Sequence, residues 1–175
     1  MNDCNLTYIA NYAFVSLENL KNLELSGNML ITTDWSSVLD YLLRLEYLDL
    51  RNAGIKHLPE IVFSNNTYLR TLILAENELS DIDVAQTLGK LQQLDSLDLS
   101  FCNLTLPLSE DSFINATKIR SLYLSGNSLF ASDLLVALAP LSNLEKLSLS
   151  NCGLTRLPDT FRNFKSLQEL DISHN

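Results

Sequence analysis

One pattern, L-x-x-L-x-L-x-x-N-x-L, recurs along the whole chain, and its regular spacing constrains the fold more than any other feature. Complete copies occupy Leu20–Leu30, Leu45–Ile55, Leu69–Leu79, Leu94–Leu104, Ile119–Leu129 and Leu144–Leu154. A partial copy ends at Leu6, and a seventh starts at Leu167 and stops at Asn175. The asparagine position, here called the ladder position, recurs every 23 to 25 residues and is filled by Cys4, Asn28, Ala53, Asn77, Cys102, Asn127, Cys152 and Asn175. A chance run of leucines would not keep this phase, so we predict one array of about seven stacked coils over residues 1–175.

The leucines before each ladder position predict a parallel sheet. Apolar and polar residues alternate there, as they do in a strand with one buried face. Leu48 and Leu50 should point inward, and one coil cannot bury them without a neighbour on each side. Because strands lie about 4.8 Å apart and the return segments are bulkier, the stack should curve with its sheet on the concave side. The predicted fold class is an α/β solenoid, a horseshoe whose convex segments alternate between short helices and extended chain or turns.

This alternation has a period of two coils. Coils with an asparagine in the ladder carry an aspartate six residues later, suited to cap a short helix, at Asp34, Asp83 and Asp133. The other coils carry a phenylalanine six residues before the next copy of the pattern, expected to fill the core, at Phe14, Phe63, Phe113 and Phe161. Three of these coils also contain a proline, which favours extended chain or turns, at Pro59, Pro107 and Pro158.

The ladder residues are expected to be structural. Asparagine there can hydrogen-bond the backbone of adjacent coils, and cysteine is a small, buried substitute. Cys102 and Cys152 are two coils apart, about 10 Å, which exceeds the Cα separation of a disulfide, so we predict free thiols. Ala53 can make no side-chain hydrogen bond, so we expect water or a local backbone shift in its place.

The outward-facing strand positions form columns on the concave face, and these supply the candidate ligand-binding residues. An apolar and aromatic group lies beside two acids, a composition that suits a partner-binding patch. We assign to this patch, called the concave patch below, Tyr47, Asp49, Ile73, Asp98, Phe101 and Tyr123. The alternative is ordinary surface variation.

Four N-x-S/T sequons are candidates for N-glycosylation, at Asn5, Asn65, Asn103 and Asn115. Asn5 and Asn103 share one phase of the repeat, just past the strand, and Asn65 and Asn115 share another, two residues after a phenylalanine. Both phases should be exposed loops. Their use depends on secretion.

The composition argues against several functions. A net charge of -9 disfavours binding to nucleic acid or to anionic membrane surfaces. The sequence has no nucleophile elbow, no glycine-rich phosphate loop and no His and Cys spacing typical of a zinc site. We therefore expect no catalysis, no metal and no cofactor, and no direct membrane contact from this segment.

The motif resembles that of the leucine-rich repeat family, and units of about 24 residues with F-x-N and L-P-x-x-F phrases are similar to its typical class in animal extracellular and cell-surface proteins. Toll-like receptor and chaoptin-like adhesion ectodomains contain similar phrases. That resemblance implies recognition of proteins or microbial ligands, innate immunity or cell adhesion, and a glycoprotein at the membrane. Those ectodomains close their ends with cysteine-rich caps, which this sequence lacks. We therefore expect a fragment of a longer array that, expressed alone, frays, dimerises end to end or aggregates.

The leading functional hypothesis is a non-catalytic recognition module, the ligand-binding segment of an extracellular or cell-surface receptor or adhesion protein. Its partner would be a protein, including another leucine-rich repeat chain or a microbial ligand. One alternative is a cytoplasmic scaffold or adaptor that keeps its thiols reduced and its sequons unused. The other is a substrate-recruiting module of a larger enzyme.

Overall fold

The computed structural model of the chain describes residues 1–104, 108–130, 134, 136–157 and 159–175. Its strands are three residues long, pair in parallel, and follow chain order in one sheet. They are β1 Asn22–Glu24, β2 Tyr47–Asp49, β3 Thr71–Ile73, β4 Ser96–Asp98, β5 Ser121–Tyr123, β6 Lys146–Ser148 and β7 Glu169–Asp171. The predicted leucine-rich horseshoe with a parallel concave sheet is confirmed.

The core is a stack of leucines inside the coils. The middle residue of each strand pairs with its equivalent in the next strand, so that Leu48, Leu72 and Leu97 lie side by side and fully buried. The second inward position, which includes Leu50, is buried as well. Burying each leucine contributes about 1.5–3 kcal/mol, which makes this column the main source of stability. In the last strand the equivalent Leu170 is 42% exposed.

Short helices follow the asparagine coils, as predicted. Helix α1 spans Trp35–Leu39 and α2 spans Val84–Leu88. Their caps are Asp34 and Asp83, whose carboxylates accept the backbone N–H three residues on, at 3.3 and 3.0 Å. In the third such segment residues 134, 136 and 137 are helical, while its predicted cap, Asp133, lies outside the described residues.

The phenylalanine coils return through turns. Phe14, Phe63 and Phe113 are buried core residues, as predicted, and the Val62 N–H donates to the Pro59 carbonyl in a tight turn. Pro107 and Pro158 lie outside the described residues.

Phe161 departs from the prediction. It lies in a 3-10 helix, Asp159–Asn163, and is only partly buried against the core. Phe164, whose ring meets it edge-on at 5.8 Å, is the buried phenylalanine of this coil.

Each ladder asparagine binds its own coil and the coil before it. The Asn77 Oδ1 accepts the N–H groups of Ala53 and Ile55 at 3.1 and 2.9 Å, and its Nδ2 donates to the carbonyls of Leu50 and Leu74 at 2.8 Å. Equivalent four-bond sets surround the other ladder asparagines, Asn28, Asn127 and Asn175. These bonds satisfy loop backbone that would otherwise be buried unpaired.

Where the ladder residue is not asparagine, its backbone carbonyl replaces the side chain. The carbonyls of Ala53, Cys102 and Cys152 accept an N–H from the preceding coil at 2.9, 2.9 and 3.1 Å. At Ala53 the backbone therefore differs locally from that of the asparagine coils, in line with the expected local shift, and the cysteine coils share this arrangement. In each of these coils the residue after the ladder position has a positive φ of 52° to 70°.

The cysteines are free thiols, as predicted. Cys102 and Cys152 are buried, and their Sγ atoms donate to the carbonyls of Leu74 and Leu124 in the preceding coil at 3.2 and 3.4 Å. Cys4 is exposed, and its Sγ donates to the Asn2 carbonyl at 3.2 Å. In the part of the chain that is described, no helix has the length and apolar character to cross a bilayer.

Candidate functional site

Sheet register brings most of the concave patch into one row. Asp49, Ile73, Asp98 and Tyr123 are consecutive register partners on β2 to β5, and all four side chains are half-buried. Glu24 precedes Asp49 in the same row. Because neighbouring strands lie about 4.8 Å apart, these side chains form a continuous surface across the sheet.

Phe101 flanks this row just beyond the end of β4. It has a φ of 56° and is 53% exposed, and its N–H donates to the Ser125 carbonyl at 2.7 Å. Its ring covers Gly126 in the next coil, where an added Cβ would overlap the ring. The left-handed region is unfavourable for a bulky residue, and an exposed ring gains little from burial. Folding stability therefore does not account for a phenylalanine at this position.

The two acids of the patch have a structural role as well as an exposed charge. The Asp49 and Asp98 carboxylates each accept the backbone N–H two residues on, at 2.9 Å, which shapes the turn at the end of the strand. One carboxylate oxygen is used in this bond. The other remains available to a second partner.

Arg51 supplies that second partner to Asp98, a pairing that the sequence analysis missed. Its guanidinium reaches across the intervening coil to the Asp98 carboxylate at 2.9 Å and lies 3.7 Å from Glu76. Continuing the two-residue alternation of β2 from Tyr47 and Asp49 to residue 51 could have identified it as outward-facing. The distance of the pairing, two coils along the array, has no signal in the sequence.

At the other end of the row, on β1 and β2, the acids are not paired with any basic side chain that the structure describes. Among the described residues, no Lys or Arg side-chain nitrogen lies within 4 Å of the Glu24 or Asp49 carboxylate. The Glu24 carboxylate accepts a hydrogen bond from the neutral Asn2 amide at 3.2 Å. Burial raises the pKa of the Tyr47 phenol, and the nearby carboxylates of Asp49 and Glu24 raise it further.

Hydroxyl groups line the far half of the sheet and bond mainly to one another. Ser125 and Ser148 are 2.7 Å apart, and Ser150 and Ser173 are 2.9 Å apart. The pKa of the Asp171 carboxyl is lowered, mainly because the carboxylate accepts hydrogen bonds from Ser173 and, to a smaller extent, from Ser148. These hydroxyl groups satisfy each other, whereas the concave patch presents apolar side chains beside its acids.

All four sequon asparagines are exposed, as expected for loops. Asn5 and Asn103 have positive φ values of 54° and 52° in the turn after the ladder position. Asn103 borders a surface cleft of about 720 Å³ that Phe101 and Glu76 also line. The Asn65 Nδ2 donates to the Asp40 carboxylate at 2.6 Å, a bond that attached sugar would have to replace.

Titratable side chains are dispersed over this surface. Within the described ranges, no three His, Cys, Asp or Glu side chains come together as a metal site requires. His174, at the end of the last strand, is exposed.

Two leucine-rich repeat family profiles match the chain. One matches residues 43–104 and again 69–129, and the other, which spans two repeat copies, matches residues 142–175. The septation initiation network scaffold protein cdc11 of Schizosaccharomyces pombe is 29% identical over 85 residues, which are 49% of this chain and 8% of that protein.

Solved structures of similar shape include a leucine-rich repeat protein of Leptospira interrogans, with a TM-score of 0.74 at 27% identity over 96% of this chain and 40% of that one. TLR13 in a complex with ssRNA13 has a TM-score of 0.77 at 27% identity over 98% of this chain and 28% of that one. Internalin C2 of Listeria monocytogenes has 0.79 at 22% identity, over 99% and 69%, which bears on the fold alone. The matched profiles, at residues 43–129 and 142–175, span well over half of the chain, and the repeat geometry agrees with them throughout. This chain belongs to the leucine-rich repeat family.

Proposed function

We propose that the chain is a non-catalytic recognition module that binds a protein ligand through the concave patch. The observation that carries this proposal is Phe101, a bulky residue that is 53% exposed and held in the left-handed region, at a position that Glu76 and Gly126 fill in the adjacent coils. Strained and exposed aromatic residues are typical of binding surfaces, where they act as anchors. Ile73 and Tyr123 add apolar area on the strands at either side of β4.

Site-specific photo-crosslinking tests this proposal. A benzoylphenylalanine placed at Tyr123 in cells that express the protein should give a covalent adduct with a partner protein after irradiation. The same group at Ile61, which is 71% exposed in a return segment, is the control and should give little adduct. Adducts at Ile61 with none at Tyr123 would place the binding surface elsewhere and refute the proposal.

The context that we propose is a receptor or adhesion protein at the cell surface. The exposure of all four sequon asparagines supports it. TLR13 was solved with ssRNA13, but a sheet face with uncompensated Glu24 and Asp49 favours a protein ligand over a polyanion. Mass spectrometry of the protein secreted from a eukaryotic host should find sugar on Asn115, whose amide makes no side-chain bond to the described residues like that of Asn65 to Asp40. Unmodified sequons would argue against this context.

A cytoplasmic scaffold is the second candidate. The observations that favour it are the similarity to the scaffold protein cdc11 and the three free thiols, which suit a reducing compartment. A substrate-recruiting module of a larger enzyme would use the same patch. Localising the endogenous protein by fractionation separates these contexts without altering the proposed binding face.

A further inference from the structure

The charge of the sheet face is concentrated at one end of the concave patch. Glu24 and Asp49 are adjacent register partners on β1 and β2. Among the described residues, neither carboxylate has a Lys or Arg side chain within 4 Å, and the Met1 ammonium beside Glu24 donates to its backbone carbonyl at 3.1 Å. Asp98, by contrast, is paired with Arg51 at 2.9 Å. A cation brought by a partner would therefore gain most over β1 and β2.

The apolar side chains are concentrated at the other end. Ile73 lies on β3, Phe101 follows β4, and Tyr123 lies on β5. Arg51 lies within this end, 2.9 Å from Asp98 and 3.7 Å from Glu76, so these three groups carry one net negative charge, against two for Glu24 and Asp49. An apolar side chain of a partner would thus find its complement centred on β4.

These two ends are separated by a distance that limits the partner. From Asp49 on β2, β4 is two strand spacings away and β5 is three, which correspond to about 10 to 14 Å. An extended polypeptide covers that distance in about three to four residues. A segment that follows the row would run across the strands, along the axis of the array.

We infer that the ligand is a basic polypeptide segment, bound in extended form, with an Arg or Lys at Glu24 and Asp49 and an apolar residue three or four positions away at Ile73, Phe101 and Tyr123. This inference deepens the proposed function and depends on it. Charge complementarity identifies the partner chemistry, and the row of register partners determines the spacing.

The test uses the isotopically labelled chain and NMR titration with short capped peptides. One peptide is Gly-Arg-Ser-Ser-Ser-Phe-Gly, a second has Glu in place of Arg, and a third places Arg and Phe next to each other. We expect shifts of the amides of β1 to β5 with the first peptide, and affinity at least about threefold weaker for the other two. Tighter binding of the Glu peptide, or of an oligouridine RNA, would overturn the inference, as would the absence of shifts with the first peptide.

Charge-removing variants show whether the acids named here are responsible. Glu24→Gln with Asp49→Asn removes two charges, and the Asn Oδ1 can still accept the Arg51 N–H that shapes the turn. Glu60→Gln with Glu110→Gln is the matched control, since both are exposed in return segments. The first pair should weaken binding of the Arg peptide about fivefold and the control less than twofold. An equal loss in both would mean attraction by net charge alone and would overturn the inference.

Failure of the inference and failure of the proposed function differ in readout. Shifts on the concave sheet with the Glu peptide alone would refute basic specificity and leave the binding face in place. Shifts confined to the return segments, together with crosslinks at Ile61, would refute the binding face itself.

Discussion

At the scale of single residues, burial controls the chemistry of the cysteines. Cys102 is fully buried in the ladder, and its thiol donates to the Leu74 carbonyl at 3.2 Å. Burial raises its pKa from 9.0 to about 12, and the Cys152 pKa is raised for the same reason. A protonated, buried thiol is a poor nucleophile, so both side chains serve packing.

The raised pKa predicts a pH-dependent stability. The folded state holds the Cys102 proton up to about pH 12, whereas the unfolded chain loses it near 9.0, so this stabilisation is complete below pH 9.0 and declines as the pH rises toward 12. Urea denaturation at pH 8 and pH 10.5 should show that the wild type loses on the order of 1–2 kcal/mol more than Cys102→Ala. Ala53 shows that the ladder accepts alanine. Parallel pH profiles would contradict the prediction.

Gly126 is required by both its backbone and its neighbour. Its φ is 73°, and the Phe101 ring occupies the space of a Cβ. Gly126→Ala should lower the free energy of unfolding by more than the roughly 1–2 kcal/mol expected of strain alone. Gly153→Ala is the control, because Gly153 has a φ of 70° and no described atom within 4 Å of an added Cβ.

The same two glycine substitutions can be compared again in a variant that lacks the Phe101 ring. With Phe101→Ala the ring is gone, so Gly126→Ala and Gly153→Ala should then have similar costs in equilibrium unfolding. A difference that persists in this background would mean that the Phe101 ring is not the cause.

At the scale of elements, the short helices depend on contacts from outside. Five residues are too few to hold a helix in water. The aspartate caps supply one end, and the Ser37 hydroxyl, 2.6 Å from Asp34, helps to lower the Asp34 pKa. At the other end of α1, the buried Asn66 amide donates to the carbonyls of Leu39 and Leu42 at 3.1 Å. The adjacent coil thus completes the helix.

The cap of α2 gives a prediction at this scale. Asp83→Ala should lower the free energy of unfolding by about 1 kcal/mol, since the Gln86 N–H loses its acceptor at 3.0 Å. Asp83→Asn retains an oxygen acceptor and should stay within a few tenths of a kcal/mol of the wild type. Chemical denaturation measures both. Equal effects of the two substitutions would imply that the charge, and not the hydrogen bond, stabilises α2.

Most of the elements could be predicted from the sequence because each one depends on a local signal. The x-L-x-L alternation marks the strands, and an aspartate six residues after the ladder position marks the helices. Phe161 and Phe164 show a case in which the local sequence pattern does not predict which side chain is buried. Both are aromatic and three residues apart, and the repeat phase selects Phe161 although Phe164 is the buried one.

At the scale of the whole molecule, stability comes from contacts between neighbouring coils. The core of each coil packs against the coils before and after it, so an interior coil is held from two sides and a terminal coil from one. The same leucine position therefore contributes different amounts to the free energy of unfolding in different coils. Leu97 is fully buried in β4, and Leu170 is 42% exposed in β7.

Replacing the same leucine position by alanine in an interior strand and in the last strand measures this difference. Leu97→Ala should cost about 3–5 kcal/mol, because it leaves a cavity inside a closed coil, and Leu170→Ala should cost less than about 1 kcal/mol. Calorimetry or urea unfolding gives both values. Similar costs at the two positions would mean that stability is not built from nearest-neighbour contacts between coils.

The sequence by itself determined the period, the inward leucines, the ladder positions, the alternation of return segments and the members of the concave row. These follow from residues whose roles repeat with each coil, so that a one-dimensional pattern carries them. Only the tertiary structure decided that Arg51 neutralises Asp98 two coils away while Asp49 keeps its charge, and that backbone carbonyls serve where Ala53 and the cysteines replace asparagine. A long arginine side chain can reach several acids, and the sequence does not show which one it pairs with. A backbone hydrogen bond between coils depends on how the next coil is positioned. Residue spacing therefore predicts neither contact.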